Sequence, residues 1–172
     1  MKTITNPISK TALHVTSLAF LLAMMTVLGF APQPARAGGE LPFHANFITK
    51  VDTLVAGDFL RVRVTGQGQA TYMAATTAFT NDQLVSLIDG SATATYTLTG
   101  NTGDTLILDM IFQSTNVAGG VTFAGTYTVT GGTGQFRGAG GSGLLAGGAL
   151  SLGPSDAIGA FAVAGTISVP RR

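Results

Sequence analysis

From Phe43 onward, apolar and polar residues alternate almost one by one in short runs, and hardly any stretch repeats its apolar residues at helical spacing. A period of two sends successive side chains to opposite faces, as a half-buried β-strand requires. Phe43, Ala45, Phe47, Thr49 and Val51 share one face of a first strand over 43–51, and His44 falls on the other. A second strand over 58–65 sets Leu60, Val62 and Val64 against Phe59, Arg61 and Arg63. Runs rich in Thr, Val, Ala, Phe and Tyr predict further strands over 70–79, 91–99, 105–112, 121–130, 144–152 and 160–169. Asp89-Gly90 and Asn101-Thr102-Gly103-Asp104 carry turn chemistry, and 81–89 reads as one short helical turn. About eight short strands so spaced make an all-β domain, a closed barrel or a sandwich.

The first 37 residues follow different rules. Lys2 and Lys10 precede an uncharged apolar run, Leu18 to Phe30, of 13 residues. That run is too short to cross a bilayer, which takes about 20. Pro32 and Pro34 break any helix, and Ala35-Arg36-Ala37 has the form of a signal-peptidase site. Residues 1–37 are therefore expected to be a cleaved signal peptide. The product would be exported to the periplasm or the medium, with no membrane anchor left after cleavage. Removing 37 of 172 residues leaves 135, residues 38–172, the size of one domain with a core of its own.

Export changes the charge balance. Lys2, Lys10 and Arg36 leave with the leader, so six basic residues face eight acidic ones. The six are scattered, which argues against nucleic acid as a partner. The chain contains no cysteine, so disulfides, thiolate metal sites and a cysteine nucleophile are excluded. Only His44 survives cleavage, which excludes a two-histidine metal site within one chain, and no cofactor is expected. Glycine makes up about one in six of the remaining residues, against an ordinary ~7%. Period-two Val, Ile, Leu and Phe through the same region argue for order, with glycine relieving crowding where strands bend into a small barrel.

Three segments carry a resemblance: Thr65-Gly-Gln-Gly-Gln-Ala-Thr71, Gly100-Asn-Thr-Gly-Asp-Thr105 and Thr130-Gly-Gly-Thr-Gly-Gln-Phe-Arg-Gly-Ala139. The last resembles the Gly-Gly-Thr-Gly-x-Phe-x-x-Ala segment of the allene oxide cyclase and dirigent barrel superfamily. All three in this order also resemble a group of secreted bacterial proteins sharing that barrel. The resemblance implies an eight-stranded antiparallel β-barrel with an apolar interior, often a homotrimer, in which Phe136 plugs one end. Plant members isomerise a fatty-acid epoxide or steer the coupling of phenoxy radicals. Where the bacterial group has Thr-His-x-Gly, this chain has Thr71-Tyr72-Met73-Ala74. No catalytic residue of the plant enzymes maps onto it.

Among residues that could do chemistry, Asp109 stands out as the candidate catalytic group. Ile107 and Ile111 share its face and Leu106, Leu108, Met110 and Phe112 the other, so a partly desolvated carboxylate is expected, the alternatives being a salt bridge with Arg61 or Arg63 or an outward-facing edge residue. Arg61 and Arg63 lie two apart on one strand face, either solvated outside or paired inside to bind a carboxylate. Tyr72 could donate a hydrogen bond into a cavity. Asp109, Tyr72, Arg61 and Arg63 are thus the candidate ligand-binding residues, and no metal ligand is among them. The phosphate-loop pattern and the Gly-x-Ser-x-Gly elbow are absent, and the glycines of 132–138 are misspaced for a dinucleotide site. The leading expectation is a small apolar ligand held in the lumen. The alternatives are an isomerase or cyclase acting on a lipid or aromatic substrate there, and a structural or interaction protein with a packed barrel.

Overall fold

The computed structural model describes residues 39–169, and the leader read at 1–37 lies outside them. The strands follow in chain order: β1 (Glu40–Ala56), β2 (Phe59–Ala70), β3 (Ala74–Ser86), β4 (Ser91–Gly100), β5 (Thr105–Val117), β6 (Gly120–Gly132), β7 (Gly140–Ser151) and β8 (Asp156–Ser168). Each pairs antiparallel with its neighbour in sequence, and β1 returns to β8, from Glu40 opposite Ser168 to Asp52 opposite Asp156. The sheet is a closed eight-stranded up-and-down barrel with no free edge. The sandwich alternative falls.

The period-two reading of the faces holds over most of the barrel. Phe43, Ala45, Phe47 and Thr49 are buried inside β1, while Leu106, Leu108, Met110 and Phe112 are buried inside β5. Two local expectations are corrected. The run 70–79 is not one strand: β2 ends at Ala70, the chain turns through 71–73, and β3 starts at Ala74. Tyr72 and Ala74 take positive φ there, a conformation that residue propensities do not advertise. Nor does 81–89 contain a helical turn, because β3 runs on to Ser86.

β3 continues by way of a bulge. Val64 faces Thr80 and Val62 faces Gln83, so Asn81 and Asp82 together stand opposite Arg63 alone. Before the bulge the even positions Thr76, Ala78 and Thr80 are buried. After it the phase reverses, with Leu84 exposed and Val85 packed against the core. The Thr80 hydroxyl donates to Asp82 Oδ1 at 2.9 Å and accepts from the Asp82 N–H at 3.4 Å, which ties the extra residue down.

The two ends of the barrel are packed differently. At the end holding the 71–73, 101–104 and 133–139 connections, the interior is filled by Phe43, Leu98, Leu106, Tyr127, Ile167 and Phe136, all 1% exposed or less. Phe136 sits in a single turn of 3-10 helix, Gly134–Phe136, and closes this end as expected. Room for the Tyr127 ring comes from two glycines on β7 and β8. A Cβ at Gly143 would lie 2.7 Å from Tyr127 Cε1, and one at Gly165 2.8 Å from its hydroxyl. The ring makes an edge contact with Phe43 at 6.2 Å between centroids, but its hydroxyl is buried with no hydrogen-bond partner.

Two stability measurements follow. Phe136→Ala should lower the unfolding free energy by about 3–5 kcal/mol in denaturant titration, since the closed end cannot collapse onto the space left. Tyr127→Phe removes a polar atom that has no partner, so it should keep or raise stability by about 1 kcal/mol, where a bonded tyrosine would lose.

Candidate ligand cavity

The opposite half of the lumen is not filled. Val51 of β1, Val62 and Val64 of β2, and Val85 of β3 leave a cavity of about 240 Å3. Phe112, Phe123 and Phe161 supply its aromatic walls. The Phe112 and Phe123 rings pack at 5.2 Å, and Phe161 lies between Tyr96 at 5.3 Å and Phe47 at 5.0 Å. Gly153 and Pro154 of the β7–β8 turn border the cavity, so it reaches the end formed by the β1–β2, β3–β4, β5–β6 and β7–β8 hairpins. The tips of these hairpins are themselves apolar. Leu54, Val55 and Phe59, then Leu87 and Ile88, then Val117, then Leu152 are all exposed around this end.

Polar groups in the lining are few, and several already have partners. The Ser114 hydroxyl donates to the Gly90 carbonyl and that of Ser151 to the Gly153 carbonyl, both at 2.9 Å. Tyr96 donates to Gln83 Oε1 at 2.9 Å. Burial strips water from the Tyr96 hydroxyl and pushes its pKa well above the ordinary tyrosine value, so it stays a donor at any physiological pH.

The four residues singled out in the sequence lie outside this cavity. Asp109 points outward from β5, is exposed, and accepts a hydrogen bond from the Thr95 hydroxyl at 2.7 Å. The expected desolvation is missing because its apolar neighbour Ile111 is on the barrel exterior, 67% exposed. Arg61 and Arg63 are exposed on the outer face of β2, the second with its guanidinium 5.7 Å from the centre of the Phe79 ring. Tyr72 is at the closed end, where its carbonyl accepts from Gln135 Nε2 at 3.1 Å. Sequence reasoning missed Tyr96 and Gln83. Tyr96 was readable from its alternation with Ala92, Ala94 and Leu98, whereas Gln83 was hidden by the bulge.

The three segments that carried the family resemblance also meet away from the cavity. Thr71 donates to the His44 carbonyl at 2.9 Å, and the Thr105 N–H donates to Thr133 Oγ1 at 3.0 Å. With Gln135 on Tyr72 and Phe136 inside, these segments stitch the closed end together. They build the barrel's floor.

A solved structure of a pterocarpan synthase dirigent protein is similar to this chain at 14% identity, over 80% of this chain and 91% of that one, with a TM-score of 0.45. No family model matches the sequence, and no curated protein matches it. The barrel assignment stands on the strand pairing itself.

At the β3–β4 turn beside the mouth, the Ser91 N–H and hydroxyl donate to Asp89 Oδ1 at 2.9 and 2.7 Å. The Gln113 carboxamide donates to the Asp89 carbonyl. The bonds from Ser91, its backbone first and then its side chain, hold the Asp89 carboxyl below its usual pKa. A carboxyl with a depressed folded pKa stabilises the native state above the unfolded value and loses that contribution as pH falls through the folded one. Hydrogen exchange of this turn should therefore speed up as pH drops below about 4, after correction for intrinsic rates, and Asp89→Asn should remove that acid limb.

Proposed function

We propose that this barrel is an exported binding protein for one small apolar molecule, held in the lumen behind the hairpin-rimmed end. The observation that carries the reading is the cavity of about 240 Å3, walled by valine and phenylalanine in a barrel whose other half is tightly filled. Apolar cavities of about 150 Å3 already take up benzene, and an eight-stranded barrel is just wide enough for one small ligand. Holding is favoured over turnover by the titratable groups of the lining. Tyr96 is fixed in its protonated form, and Asp156 is exposed at the rim. Export is supported by the leader at 1–37, and likeness to secreted bacterial barrels by the three floor segments.

The test is titration of the protein with naphthalene, followed by the fluorescence of the bound probe. Saturable one-to-one binding is expected. Val85→Phe, which extends a ring into the cavity, should weaken it at least about tenfold without loss of the β spectrum. Asp109→Asn, on the exterior, should bind as the native chain does. Failure of the native protein to bind, or unchanged affinity in a folded Val85→Phe variant, would refute the reading.

A further inference from the structure

Gln83 reaches the lumen only because β3 carries one residue too many. With strict alternation from Thr80, Asp82 would point inward and Gln83 outward. The bulge at 81–82 exchanges them, leaving Asp82 exposed and Gln83 in the cavity wall. Bulges interrupt a ladder at some cost and recur where a side chain must be re-aimed. We infer that Gln83 selects the polar end of the lumenal ligand, a molecule carrying a hydrogen-bond acceptor such as a ketone, aldehyde or ether oxygen on an otherwise apolar body. The inference rests on the lumen-binding reading and deepens it.

The chemistry of the wall points the same way. Ser114 and Ser151 donate their protons to backbone carbonyls, and Tyr96 donates its own to Gln83 Oε1. That last bond occupies one of the two lone pairs of the carboxamide oxygen and fixes the group's orientation, leaving the two Nε2 protons for another partner. Thr49 and Thr53 also line the cavity, but a hydroxyl both donates and accepts and so does not discriminate. The Gln83 nitrogen can only donate. A ligand without an acceptor displaces water from that N–H and leaves it unpaired, whereas a carbonyl replaces the water.

A pair of probes of one shape tests this: benzophenone and 1,1-diphenylethylene, in which C=CH2 replaces C=O. Their affinities for the full chain are measured by calorimetry or by displacement of naphthalene. The native protein should prefer the ketone by about tenfold. Gln83→Leu should bring the ratio close to one by weakening the ketone while the olefin still binds. Tyr96→Phe, which frees the carboxamide to turn, should reduce the preference in part. Equal affinities in the native protein, or an undiminished ratio in Gln83→Leu, would overturn the role of Gln83 and leave the lumen-binding reading intact. Binding of neither probe, with naphthalene also excluded, would overturn both. Should Gln83→Leu fail to fold, the native ratio and the Tyr96→Phe ratio decide.

Discussion

The backbone ladder between β1 and β8 is the constraint to which the rest of the molecule answers. Once Phe47 is paired to Phe161 on one side and to Gly68 on the other, the circumference is fixed and the strands cannot close up on a poorly filled interior. An open sheet pair can slide together when a side chain is too small, but a closed cylinder cannot. Interior volume is thus set by hydrogen bonding, and side chains decide only how much of it is occupied. Tightly interlocked large residues at one end, and phenylalanine spaced by valine, threonine and serine at the other, turn that rule into a plug and a chamber.

The same constraint explains the glycines that face Tyr127. A phenol lying across the lumen needs more width than two ordinary strands leave it, and β7 and β8 cannot back away. They yield at Gly143 and Gly165, where a Cβ would also strike the backbone oxygens of Ala164 and Ser142 at 2.2 Å. Shape rather than hydrogen bonding holds this ring, as its unpartnered hydroxyl shows. At the floor the reverse is true. There Thr71, Thr105, Thr133 and Gln135 hold three distant segments together with side-chain bonds.

Much of this was legible before any coordinates. Alternation in 43–51 and 105–112 sorts each run into two faces, but apolar residues on both faces of 105–112 leave open which one turns inward. The segment 130–139 pointed to a plugged end through the resemblance it carries, in which Phe136 fills one end of the barrel. The lining of the cavity was hidden for three physical reasons. Polarity misled at Asp109, because this barrel carries isoleucine and leucine on its exterior and an apolar neighbourhood there says nothing about burial. Phase misled at Gln83, because an extra residue in one strand has no signature until the partner strand is known. Emptiness, finally, is a property of summed volumes over eight strands, and no single segment displays it.

The bulge in β3 has an evolutionary side. Gain or loss of a single codon at 81–82 would exchange inside for outside over only the few residues up to Ser86, before the hairpin resets the register. The other strands, the floor and the closure would stay as they are. The polarity of the chamber wall is therefore separable from the architecture that encloses it, and a barrel of this design could change what it accepts without passing through an unfolded ancestor.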